Sequence, residues 1–293
     1  MIKFLILFSL FSGCSYFSND RSNLKRDHYY QLQNYNENFV MNISKMTNAL
    51  WVIDRDFDGS RPFNKFDLMK MKNNDSNIIF SYMSVGEAES YRPYFKSIPK
   101  TILAKENPHW PGSFDVNFWD NKWHEILYAS STSYINKIVE SGFDGVYLDV
   151  VDAYQRHEDK KLRAEQMASL IKGISKKAKS LNSNFKIYLQ NGSEIINSLD
   201  ENSKSSFIAA VDGLSVEGYF FDYSDPKKPV RSDWFKTLEP VYKEYQALDK
   251  DILMIEYVEN ELLQKEAVNY CNENKIHLLI TDRLLKGKFF INN

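Results

Sequence analysis

The sequence predicts an α/β fold, a single (β/α)8 barrel over residues 28–293. Three observations predict it. Eight short apolar runs are separated mostly by stretches with apolar residues at helical spacing, and such alternation implies parallel strands joined by crossover helices. The length of 293 residues suits one such barrel, which takes roughly 250 residues. No Gly-x-Gly-x-x-Gly turn follows the early strands, which disfavours an open doubly wound sheet.

The elements follow in order. Lys3 and the apolar run to Phe11, then Phe11-Ser12-Gly13-Cys14, read as an export signal over residues 1–13. The run is too short to span a membrane. Residues 14–27 read as a polar tether. His28–Asn36, HYYQLQNYN, begins the folded part. Leu50–Asp54 is the first strand, a short β-branched and aromatic run closed by an acid. Asp56–Gly59 is a turn-rich loop, and Pro62–Lys72 is helical in pattern. Asn77–Val85 is the second strand. In Ala88–Lys105, Pro93 and Pro99 break any long helix. The loop Asn107–Gly112, NPHWPG, leads to a third strand at Phe114–Phe118. Lys122–Ser141 reads as a helix with Trp123, Ile126, Leu127, Ile135, Ile138 and Val139 facing inward.

Strand four, Gly145–Asp149, is the centre of the chain's organisation: GFDGVYLDVVDAY is a glycine-flanked apolar run that stops at Asp149. Lys160–Leu181 is a long helix, Phe185–Leu189 strand five, and Glu194–Ala210 a helix. Asp212–Val216 is strand six. Asp233–Leu248 is helical, with Pro240 expected to kink or divide it. Ile252–Ile255 is strand seven, Glu259–Asn274 a helix and Ile276–Ile280 strand eight.

Each of several strands ends in a carboxylate. Strand one gives Asp54, two gives Glu87, four gives Asp149, six gives Glu217 and seven gives Glu256; strand five gives Asn191. In a barrel these ends converge on one face, where barrel enzymes place their chemistry. One such acid can be a loop cap; a ring of them is harder to dismiss. Two converging carboxylates serve glycoside hydrolysis, one protonating the leaving oxygen and the other attacking or activating water. Carboxylates binding Mg²⁺ or Ca²⁺ are the competing reading. The five histidines lack zinc spacing, and there is no Gly-x-Ser-x-Gly or Walker loop. A formal charge of -2 argues against a nucleic-acid partner.

At this point the chain resembles glycoside hydrolase family 114, the endo-α-1,4-polygalactosaminidase-like TIM barrels. The likeness covers nearly the whole mature chain. It runs through YQLQ at Tyr30–Gln33, WVID at Trp51–Asp54, YMSVGEAESYR at Tyr82–Arg92, NPHWPG and GFDGVYLDVVDAY. It continues through QNG at Gln190–Gly192, DGLSVEG at Asp212–Gly218 and IEY at Ile255–Tyr257. The resemblance implies Asp149 as nucleophile and Glu217 as general acid/base of a retaining glycosidase. A carboxyl separation of about 5 Å would fit retention, and about 6.5–9.5 Å inversion. Holding a proton would require the Glu217 site to be drier, or closer to another carboxylate, than that of Asp149.

Asp54, Tyr82, Glu87, Arg92, Asp152, Tyr154, Asn191, Glu256 and Tyr257 are candidate cleft residues, with Arg92 equally readable as a buried partner for Glu87 or Asp54. Trp110 and Trp119 are candidate sugar platforms. The family implies an amino-sugar polysaccharide as substrate and no cofactor or metal. A carboxylate-rich cleft would suit the cationic form of galactosamine. The string before Cys14 resembles a bacterial lipobox, so lipidation of Cys14, anchoring to a bacterial membrane (periplasmic or cell surface) and a monomeric state are expected. Cys271 would then have no disulfide partner. A non-catalytic sugar-binding lipoprotein on the same barrel is the alternative.

Overall fold

A computed structural model describes residues 26–57, 61–222 and 230–292. Cys14, the expected signal and nearly all of the expected tether lie outside the described residues. Eight parallel strands form the barrel wall: β1 (Asp27–Gln31), β2 (Ala49–Ile53), β3 (Ile78–Ser84), β4 (Gly145–Asp149), β5 (Lys186–Gln190), β6 (Gly213–Glu217), β7 (Asp251–Glu256) and β8 (His277–Thr281). A ninth, β9 (Phe289–Asn292), returns antiparallel to β8. At the seam between first and last strands, Leu32 N donates to Leu285 O at 3.1 Å. Phe289 also packs edge-on against Tyr29 of β1, with 5.0 Å between ring centres.

Two readings of the strands need correction. HYYQLQ holds a full barrel strand, β1, paired in parallel with β2; it therefore begins at Asp27, inside the segment expected as tether. Phe114–Phe118 is no barrel strand. Ser113–Val116 is the middle of a small antiparallel sheet with Glu87–Glu89 and Leu103–Glu106 that stands above β3. One missed strand and one misplaced strand cancel, so Asp149 still ends the fourth barrel strand and Glu217 the sixth.

The helices lie mainly where periodicity puts them. Lys65–Lys72 is closed at its start by a reciprocal cap, Asn64 Oδ1 accepting from Asp67 N at 3.0 Å and Asp67 Oδ2 from Asn64 N at 3.1 Å. Lys160–Leu181 matches its expected limits and is capped by Asp159. The expected helix at 122–141 is broken. Asn121–His124 and a wide turn at Glu125–Ala129 precede Tyr134–Ser141, with the serine-rich Ser130–Ser133 between them. Serine and threonine bond their own backbone and favour such breaks. The segment 194–210 is likewise split, into a 3-10 turn Ser193–Ser198 and a helix Glu201–Ala210. Pro240, by contrast, lies within one continuous helix, Trp234–Gln246.

The strand pleat divides the core in two. Outward residues such as Trp51, Ile79, Val146, Leu148, Ile187 and Met254 pack under the helices. Inward residues fill the barrel: Tyr30, Leu50, Val52, Phe80, Tyr82, Tyr147, Tyr188, Leu253, Ile255 and Leu279. At the floor, the Phe80 and Tyr188 rings meet edge to face, 4.8 Å apart. They fit only because Gly145 and Gly213 lack a side chain; a Cβ at either would stand 2.6 Å from a ring carbon. The floor is thus plugged by aromatic rings, and the opposite end is left open.

Candidate active site

The open end, where the parallel strands finish, holds a cavity of about 740 Å³. Asp149 and Glu217 are the last residues of β4 and β6 and line it. The pleat carries both side chains inward, above Tyr147 and Ser215. Each carboxyl has its own phenol. Tyr82 donates to Asp149 Oδ2 at 3.0 Å, and Tyr257 donates to Glu217 Oε1. Asp149 Oδ1 also accepts from Val150 N at 2.7 Å. Asn191 grips Glu217 twice, with Nδ2 donating to Oε2 at 3.1 Å and Oδ1 accepting from Glu217 N at 3.0 Å.

The backbone beneath these groups is unusual. Val150 has φ 61° and Asn191 φ 58°. A β-branched residue in the left-handed region costs about 1–3 kcal/mol, so the turn after Asp149 is held against its local preference. Gly86, after β3, lies against that turn; a Cβ there would stand 2.4 Å from Val150 O.

Burial and the neighbouring Glu217 push the Asp149 carboxyl well above the usual carboxylate range, against the bonds from Val150 and Tyr82. The phenol of Tyr30 faces both acids, and burial followed by the charges of Asp149 and Glu217 raises it well above its ordinary value.

Asp54, Tyr82, Glu87, Asp152, Asn191 and Tyr257 also line the cavity, as does Trp110. Arg92 does not. It is buried behind the wall, with NH1 donating to Asp54 Oδ1 at 2.7 Å and Nε to Glu89 Oε2 at 2.6 Å. Tyr154 is buried beneath the loop after β4. Glu256 points out of the barrel into the helix layer, away from Tyr257, because adjacent residues of a strand face opposite ways. Trp119 lies outside the cavity lining, its ring covered by the Arg163 guanidinium at 3.4 Å.

Tyr30, Glu89 and Arg156 line the cavity and were not singled out in the sequence. Tyr30 could have been found from the alternation of HYYQ, had that stretch been read as a strand. Arg156 donates to Glu87 Oε1 at 2.7 Å and to Asp115, tying the loop after β4 to the small sheet. Seven carboxyls line the cavity (Asp54, Asp56, Glu87, Glu89, Asp149, Asp152 and Glu217) against two guanidiniums, Arg156 and Arg283. Among the described residues no group of three or more His, Cys, Asp or Glu side chains is arranged to hold a metal ion.

Known proteins share this architecture. The fold matches Ega3 of Aspergillus fumigatus, solved in complex with galactosamine, with TM-score 0.67 and 16% identity, covering 90% of this chain and 94% of that one. It matches the glycoside hydrolase domain of PelA from Pseudomonas aeruginosa with TM-score 0.68 and 14% identity, over 91% and 97% of the two chains. An uncharacterized protein of Methanocaldococcus jannaschii is 32% identical over 288 residues, 92% of this chain and 76% of the relative. Another, from Deinococcus radiodurans, is 33% identical over 194 residues, covering 64% of this chain and 59% of that relative's length. The model of glycoside-hydrolase family GH114 matches residues 19–291, and on that match over nearly its whole length the chain belongs to the family.

Proposed function

We propose that the protein is a glycosidase that cleaves an α-1,4-linked, galactosamine-containing polysaccharide, with Asp149 and Glu217 as its catalytic pair. The observation that carries this reading is the pair itself: two inward carboxyls, each held by a phenol, in a cavity whose lining is strongly acidic. Family membership supports hydrolysis of a glycosidic bond. The acidic lining suits an amino sugar carrying an ammonium group, and the galactosamine bound by Ega3 supports that choice.

In this mechanism Asp149 attacks the anomeric carbon while Glu217 protonates the departing glycosidic oxygen. Glu217 then takes a proton from water, which attacks the same carbon and releases Asp149, so configuration is retained. Asp149 must first ionise. A substrate ammonium beside it favours the charged form. Anchoring through a lipidated Cys14, with export of a monomeric domain to the periplasm or cell surface, completes the proposal.

The test uses the soluble domain and partly deacetylated α-1,4-linked galactosaminogalactan, with products read by mass spectrometry and anomeric configuration by NMR. Oligosaccharides from wild type, and none from Asp149→Asn or Glu217→Gln, are expected. Binding without cleavage would move the protein to the sugar-binding alternative, and inverted product would reassign Asp149 as a base.

A further inference from the structure

We infer that Glu256 is a positioning residue for Glu217: its buried carboxyl holds the turn that follows Glu217, as one jaw of a clamp made by three successive residues. Ile255 O accepts from Gly218 N at 2.9 Å. Glu256 Oε1 accepts from Phe220 N at 2.9 Å. Tyr257 donates its hydroxyl to Glu217 Oε1. A main-chain carbonyl, an outward side chain and an inward side chain thus grip one short stretch, residues 217–220, from one side. The inference depends on Glu217 being catalytic, as proposed above.

The surroundings argue against a packing role for Glu256. It is fully buried, under the helices, close enough to Cys271 to raise that thiol further. An apolar side chain would fill such a place without the cost of burying a carboxyl. Its Oε2 has no hydrogen-bond partner among the described residues, so its bonding is directed at the turn. The turn needs an acceptor. The chain leaves β6 at Gly218 with φ 63°, a left-handed step, and the regular ladder to β7 stops there. Beyond that point the amide of Phe220 is buried with no strand to receive it, and an unpaired buried N–H is costly. Burial drives the Glu256 carboxyl up to about 8, against the amides of Phe220, Phe221 and Tyr219. Near neutral pH it is therefore largely the neutral acid, whose carbonyl oxygen still accepts.

Two variants separate positioning from packing. Glu256→Leu keeps bulk and removes the acceptor, whereas Glu256→Gln keeps an acceptor and resembles the neutral acid. At pH 6.5, hydrogen exchange of the Gly218 and Phe220 amides should quicken about tenfold or more in Glu256→Leu and stay near wild type in Glu256→Gln. On the galactosamine polymer, Glu256→Leu should lose about tenfold in kcat with KM within twofold, and Glu256→Gln should restore it. A small misplacement of a reacting group is enough for such a loss. A Glu256→Leu protein that melts lower but exchanges and turns over like wild type would overturn the inference. If wild type cleaves nothing, the functional proposal fails by itself, and equal exchange in all three proteins would still overturn the clamp.

Discussion

The two ends of the barrel are built from the same alternation of inward residues and end in opposite chemistry. At the floor the inward positions are Phe80, Tyr188 and His28, with Gly145 and Gly213 making room for the rings. Tyr188 donates to Asp251 there, and both ring nitrogens of His28 lack a hydrogen-bond partner among the described residues. At the mouth the inward positions are Asp149 and Glu217, with Tyr82 and Tyr257 as donors. The floor spends glycines on packing. The mouth accepts strain at Val150 and a buried, perturbed carboxyl at Asp149. The floor is thus dominated by ring packing and the mouth by backbone strain and a perturbed carboxyl, a combination that marks candidate functional sites.

The largest test of that contrast is at the mouth. Asp149→Asn should lower kcat by at least about 10³-fold and leave the fold no less stable. The sign follows from the raised carboxyl. Its contribution to stability is full below the ordinary carboxylate range and is lost as pH rises through the folded value. Asparagine, which cannot charge, should therefore gain over wild type as pH rises, read as melting temperatures between pH 4 and 8. A variant less stable at every pH would break the comparison.

Next comes the floor. Phe80→Ala should cost about 3–5 kcal/mol in chemical denaturation, the usual penalty for emptying an aromatic site. Sugar binding by the folded protein should change little. A large loss of binding with little loss of stability would mean that floor and mouth are not separate.

His28 sharpens the contrast by pH. Burial, then the nearby His277, lowers it from 6.5 to about 3. Well above pH 6.5 it is neutral folded or unfolded and adds no proton-linked cost. As pH falls through 6.5 the unfolded chain takes up a proton that the folded floor refuses, so stability declines by up to about 1.4 kcal/mol per pH unit toward pH 3. Replacing His28 by Gln should flatten that part of the acid limb, seen as a smaller drop in melting temperature between pH 6.5 and 4.5.

The smallest effect is expected at Trp110, 45% exposed on the cavity rim. Trp110→Ala should raise KM several-fold, with kcat and stability close to wild type, as for the loss of one sugar-stacking surface worth about 1 kcal/mol. Unchanged KM would remove Trp110 from the binding surface.

Much of the fold was legible because apolar runs and helical periods are local properties. The limits of helix 160–181 and the placement of Asp149 and Glu217 at strand ends needed no distant contact. Three misreadings show where that stops. HYYQLQ carries only alternate core positions and polar neighbours, so only its pairing with β2 reveals it as a strand. FDVNF alternates as a strand should, and nothing local says which sheet it joins. Glu256 illustrates the third: lining up strands by their terminal acids ignores that a step of one residue reverses the face. The inward group there is Tyr257, and the acid is on the other side of the wall.

The direction of the strands has a practical consequence for orientation. Arg26, immediately before β1, donates to Ser76 O at the closed end of the barrel, where Asp27 N also meets Asn48 O. A support gripping the chain upstream of Arg26 therefore holds the molecule by its base, with the mouth turned outward.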